Sequence, residues 1–136
     1  MQKTGKKVKK PSDATGSEAL SWAIAEGMIE KKAVEIVILD LRTIKGAFTD
    51  FFILCSGNSD THIEAISDSI EEMVYKKVKQ EPWHREGRQN REWILLDYVD
   101  AVANVFKNDT REFYALEQLW GDAVILHVGE EGSVEQ

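Results

Sequence analysis

The sequence predicts one α/β domain of the α+β kind, built on a mixed sheet of roughly five strands with helices mainly on one face. Three observations lead there. The chain has 136 residues and 43% hydrophobic content, enough for one core and too little for two ordinary domains. Its apolar spacing alternates between helical and strand periods in the first half. Its final third reads as a meander of short strands joined by tight turns. A sheet covered mainly on one side leaves part of the other side open, where a flat partner can sit.

Residues 1–16 are polar and include Pro11 and Gly16, so a disordered basic tail is expected there. The folded domain is expected over 17–128, and a flexible acidic tail over 129–136. Ser17 can cap a helix running to about Lys32, with Leu20, Ala23, Ile24 and Met28 at helical spacing. Val34 to Asp40 is β-branched and almost continuously apolar, as in an interior strand. A second apolar strand follows from about Asp50 to Ser56. Gly57-Asn58-Ser59-Asp60 is turn chemistry. Ser59 suits an N-cap, and Thr61 with Glu64 offers an alternative capping box. Beyond it Ile63, Ile66, Ile70, Met73, Val74 and Val78 form one helical stripe. Pro82 to Glu86 reads as a short edge strand. Trp93–Asp97 and Ala101–Phe106 read as two strands joined through Tyr98-Val99-Asp100. Asp109, with Glu112 three residues on, caps an expected last helix.

Formal net charge is −7, unevenly spread. Residues 1–10 hold five lysines and no acid, leaving a balance of −12 in the rest of the chain. An acidic body argues against broad nucleic-acid binding and suits a basic protein partner. The lysine tail can touch RNA phosphates peripherally or simply stay solvated. No apolar run approaches the roughly 20 residues of a membrane helix, and no signal-peptide core is present. The only cysteine, Cys55, lies in an apolar strand. It reads as a buried reduced thiol, and the protein as cytoplasmic.

Three catalytic chemistries make demands that this pattern can be held against. Nucleotidyl transfer would use the Gly57-Asn58-Ser59 turn for phosphate and a pair of strand carboxylates for two metal ions. The acids available after Gly57 are Asp97 and Asp100, three apart across a turn, which breaks the ligand set. His62, His84 and His127 share no ligand spacing with Cys55, so no metal centre is expected and the histidines read as surface residues. Asp40, Asp50, Asp97 and Asp100 each sit at a strand end, where aspartates cap turns. No catalytic residue, metal or cofactor is assigned. What stands out instead is a concentration of Trp93, Tyr98, Phe106, Phe113, Tyr114 and Trp120 among acidic residues. Aromatics beside acids suit a surface for a basic protein.

The segments Thr49 to Ser59 with His62, and Trp93 to Asp97 with Asp100, Val105-Phe106, Arg111, Tyr114 and Leu116 to Trp120, resemble the two signatures of the Iojap family of bacterial ribosomal silencing factors. The likeness runs from about residue 17 to residue 121. It implies a nucleotidyltransferase-like fold without catalytic acids, and no enzyme activity. It implies docking on the large ribosomal subunit, chiefly through its ribosomal protein numbered fourteen. Docking there would block the small subunit and repress translation when nutrients are scarce. Self-association as dimers through a related surface is implied as well. The candidate contact residues are Trp93, Asp97, Asp100, Asn104, Tyr114, Glu117 and Trp120. Trp93 is the expected apolar anchor, facing the more open side with Leu95 and Asp97. The sequence departs from the family pattern at Val99, where glycine is usual, and at Asn104, where histidine is usual. Ala101 and Ala103 also replace larger residues. Val99 makes a turn with positive φ costly, so a different turn is expected. Asn104 keeps hydrogen bonding without the option of positive charge. Two other classes remain beside this reading: a nucleotidyltransferase-like or other phosphate-handling enzyme, and an adaptor for a different basic partner.

Overall fold

Strand formation in this chain follows its apolar runs, and the longest of these sit at the centre of the sheet. The computed structural model describes residues 7–8, 16–108, 123–129 and 132–135. The elements in chain order are β1 (Lys7–Val8), α1 (Gly16–Glu30), β2 (Val34–Asp40), β3 (Phe51–Gly57), α2 (Asp60–Val78), β4 (His84–Glu86), β5 (Trp93–Asp97), β6 (Ala101–Lys107), β7 (Val124–Val128) and β8 (Val134–Glu135). The described strands form one sheet in the order β1-β8-β7-β2-β3-β6-β5-β4. Only β3 and β6 pair in parallel, so the sheet is mixed, as expected.

The strand count is a correction: eight strands among the described residues, against the roughly five expected. The additions lie beyond β2. Val124–Val128 pairs antiparallel with β2, and the two-residue strands β8 and β1 extend that side. Such short segments are strands only because a partner edge is available, which no local pattern announces. Val134–Glu135 is therefore paired where a loose acidic tail was expected, and Lys7–Val8 where a disordered tail was expected. The expected last helix, from Asp109, lies outside the described residues.

Both described helices pack on one face. Ile63, Ile66, Ile70 and Val74 of α2 meet Leu20, Ile24 and Met28 of α1 over Ile53, Ile94 and Leu96. Burying each such aliphatic contributes about 1.5–3 kcal/mol. The helices meet closely at Gly27, where an added Cβ would lie 2.6 Å from the Ile70 Cα. Ser69 Oγ donates to the Gly27 carbonyl at 2.7 Å across the same contact. Met73 and Val78 are only half-buried at the margin of the stripe.

The other face departs from expectation. Val37, Leu39, Phe52, Leu54, Val102 and Phe106 form a second buried cluster there. It is no open platform: its margins, Trp93, Leu95 and Asp97 on one side and Ile44, Ala47, Ala123 and Ile125 on the others, are half-buried. The alternation along β5 is as expected, with Ile94 and Leu96 facing the helices.

A braced turn and a closed loop at opposite ends of one strand

Strand β3 is wholly buried and connects two loop regions. At its N-terminal end lies the β5–β6 connection. The Asp100 N–H donates to the Tyr98 carbonyl, two residues back, at 2.9 Å. Val99, at the centre, has φ 76. That bond and that angle define a γ-turn of the rare, strained kind. A positive φ at a β-branched residue is a genuine outlier and costs on the order of 1–3 kcal/mol. Val99 therefore adopts the glycine-like conformation, and the expectation of a different turn is corrected.

The surroundings fix this turn from three sides. Asp97 Oδ1 accepts from the Val99 N–H at 2.8 Å. Thr49 Oγ1 donates to the Val99 carbonyl at 2.9 Å. The Asp100 carbonyl accepts from the N–H groups of both Asp50 and Phe51. So held, the Val99 side chain stays 56% exposed. Phe48, one residue before Thr49, is 64% exposed, its ring edge-on to Phe52 at 5.8 Å. Asp100 is exposed, and Asp50 and Asp97 are half-buried. At the neighbouring end of β2, Arg42 makes a two-pronged contact with Asp40 and lies 4.8 Å from the Phe51 ring. Burial pushes the Asp40 carboxyl up, but the Arg42 contacts outweigh it and hold it below the usual range. The result is a tip with two exposed apolar side chains rimmed by carboxylates.

At the C-terminal end of β3, Gly57-Asn58-Ser59 leads into α2. Ser59 is the N-cap, and its hydroxyl accepts from the His62 N–H at 3.1 Å. His62 Nδ1 accepts from the Asn58 N–H at 2.9 Å, which leaves its Nε2–H to donate to the Lys31 carbonyl at 2.8 Å. This one ring ties the loop before α2 to the loop after α1. His62 is thus no idle surface histidine. Its position three residues after an N-cap was the sequence signal for that role.

The candidate contact residues are divided by the structure. Trp93, Asp97, Asn104 and Asp100 come from one hairpin, but with different roles. Trp93 is half-buried, stacked on Phe106 at 5.0 Å, and its Nε1–H donates to Asn104 Oδ1 at 2.9 Å. Asn104 is fully buried and holds the Trp93 indole, so it offers no exposed side chain at the position where a contact was expected. Asp97 braces the turn with one oxygen. Asp100 alone of these is freely exposed. Tyr114, Glu117 and Trp120 lie outside the described residues. Sequence reasoning missed Phe48 and Val99 as the exposed apolar groups. The β-branched residue in a glycine place was the available signal for the second.

The fold class is that of a solved structure from Chromobacterium violaceum, with a TM-score of 0.72 at 25% identity over 79% of this chain and 88% of that one. The model of the family described as ribosomal silencing factor during starvation matches residues 14–136, and the chain belongs to that family. The ribosomal silencing factor of Halalkalibacterium halodurans is 40% identical over 113 residues, 80% of this chain and 91% of the relative. A mouse relative named mitochondrial assembly of ribosomal large subunit protein 1 is 34% identical over 112 residues, 81% of this chain and 49% of its own length. A general role in ribosome silencing goes with that membership. Among the described residues, no helix is long and apolar enough to cross a membrane.

Proposed function

We propose that the chain docks on the large ribosomal subunit, through its ribosomal protein numbered fourteen, and sterically blocks joining of the small subunit. The repression acts in the cytoplasm under nutrient limitation. The carrying observation is the braced γ-turn at Val99. Strain at a solvent-exposed apolar residue, held by three separate contacts, presents a rigid knob with acidic neighbours. Such a knob suits a basic protein surface, with the apolar centre supplying affinity and Asp100 the charge complementarity. Half-buried Trp93 serves as the shoulder of the site, steadied by Asn104. Self-association would use the same tip.

The mechanism is occupation of a site, without chemistry and without a cofactor. A phosphate-handling enzyme is the alternative reading, and the Gly-Asn-Ser turn between strand and helix is where it would hold a phosphate. However, the Asn58 N–H, a donor placed to meet a phosphate, already donates to His62 Nδ1. This supports a non-enzymatic reading. Titration with nucleotide and magnesium is the direct check, and a metal-dependent response at millimolar or tighter concentration would overturn it.

The test of docking is co-sedimentation with isolated large and small subunits, followed by a subunit-joining assay. The parent is expected to pellet with large subunits only. Asp100→Lys with Phe48→Ser, both at exposed positions, should weaken pelleting and restore joining without changing the circular dichroism. Asp97 is a poor choice for reversal because it braces the turn. If the folded double variant binds and blocks like the parent, the contact lies elsewhere.

A further inference from the structure

The segment that joins β4 to β5 is held by charge where burial is lacking. All three residues of β4 are exposed, as are Arg88, Gln89, Asn90 and Glu92. Arginines recur at every third residue, Arg85, Arg88 and Arg91. On α2, Glu64, Asp68 and Glu71 lie four and three apart, so they share one helix face. The two rows run antiparallel and meet rung by rung. Arg85 makes a two-pronged contact with Glu71, through Nε at 2.9 Å and Nη2 at 2.8 Å. Arg88 Nη2 donates to Asp68 at 2.8 Å, and Arg91 Nη1 donates to Glu64 at 3.1 Å.

The last rung carries two penalties. Arg91 has φ 57, and its Nε is buried with no hydrogen-bond partner among the described residues. Left-handed backbone at a residue other than glycine and an unpaired buried donor both cost stability, and such costs persist only where the surroundings enforce them. Here the Arg91 N–H donates to the Gly87 carbonyl at 2.9 Å, which closes the loop. The loop folds back on Trp93, since a Cβ at Gly87 would run into the Trp93 carbonyl. Trp93 is the first residue of β5, and strand ends open first unless they are held.

We propose that the three ion pairs form a strap between α2 and the β4–β5 loop, with Arg91 as the positioning residue that fixes Trp93. Its bearing on docking rests on the reading of Trp93 as the shoulder of the site; the strap itself does not. One exposed ion pair is worth little, because ordering two long side chains offsets the attraction. On one short segment the first pair orders the next, so the rungs reinforce one another. A strap of this kind loosens with salt, unlike the apolar packing that holds Ile94 and Leu96.

Hydrogen exchange of the full chain, followed residue by residue at low and at high potassium chloride, is the test. Three N–H groups report on the strap: those of Arg91 and Lys107, bonded to the Gly87 and Glu92 carbonyls, and the Trp93 indole, bonded to Asn104. All three should exchange about tenfold faster at high salt, as weak exposed pairs are screened together. The amides of β3 should not change. Arg91→Gln and Glu64→Gln should each give the same acceleration at low salt, and the double variant no more than either. Arg91→Glu with Glu64→Arg should restore slow exchange, which a role for either side chain apart from its charge partner does not predict. In co-sedimentation, Arg91→Gln should weaken binding to large subunits several-fold, and the swap should recover it. Exchange at these groups that ignores salt and both substitutions would overturn the strap. So would a swap that leaves exchange fast. Accelerated exchange at Arg91 with an unchanged Trp93 indole would overturn the positioning role. A parent chain that does not pellet with large subunits would refute the docking reading, while exchange in the isolated chain still decides on the strap.

Discussion

The two ends of β3 are built to opposite rules. At the Gly57 end, hydrogen-bonding groups are turned inward: Ser59 caps the helix and His62 ties two loops together. At the Asp50 end, hydrogen bonds are spent on holding a strained residue outward, with its apolar side chain in solvent. A fold minimises strain where nothing is asked of it, and retained strain is maintained by its surroundings. The contrast separates a closed, stability-giving end from an exposed end shaped for contact. It also makes the two ends separable by mutation.

The largest expected effect is at the closed end. A Cβ at Gly57 would lie 2.6 Å from Ile63 Cγ2 and 3.3 Å from His62 Nδ1. Gly57→Ala must push the start of α2 outward, at a cost of about 2 kcal/mol. Chemical denaturation should show that loss while the folded fraction still binds large subunits. At the exposed end the signs reverse. Val99→Gly relieves a positive φ and should raise stability by about 1 kcal/mol. It also removes the apolar knob, so docking should weaken. A variant that is more stable and docks as well as the parent would show that the strain has no bearing on binding.

This contrast was only partly legible in the sequence. Ser59 as N-cap and the Ile63–Ile70 stripe follow from local rules, because capping and amphipathicity act within a few residues. The β2 and β5 boundaries follow from β-branched and alternating patterns in the same way. Other features depend on distant partners. Val99 is held in its conformation by Thr49, fifty residues earlier, so local preference pointed to a different turn. Asn104 read as a contact from the resemblance alone, because its actual partner, the half-buried Trp93 indole, lies on a neighbouring strand. Strands β1 and β8 are too short to carry any pattern of their own.

A smaller effect is expected from Ser59→Ala, which removes the acceptor for the His62 N–H. The loss should be about 1 kcal/mol, with docking unchanged. His62 retains its bonds to Asn58 and Lys31 in that variant, so the loop should stay closed. Unaltered melting together with lost docking would move Ser59 from scaffold to interface and undo the separation of the two ends.

The smallest effect concerns pH and again belongs to the closed end. Asp60, in the first turn of α2, accepts from Lys107 Nζ at 3.0 Å. That hydrogen bond holds its carboxyl below the usual range, against a small opposing push from burial. A carboxylate whose folded value is depressed lends stability above its unfolded value of about 3.9 and loses it as pH falls through the folded value. Lys107→Gln removes the charge partner. The stability difference between parent and variant should therefore be present at neutral pH and shrink in acid, as the parent's Asp60 becomes protonated. Both partners are substantially exposed, so added salt should shrink the difference too. A difference that stays constant through acid pH would mean that Lys107 acts through the packing of its aliphatic stem. The charge on Asp60 would then have no part in securing the closed end.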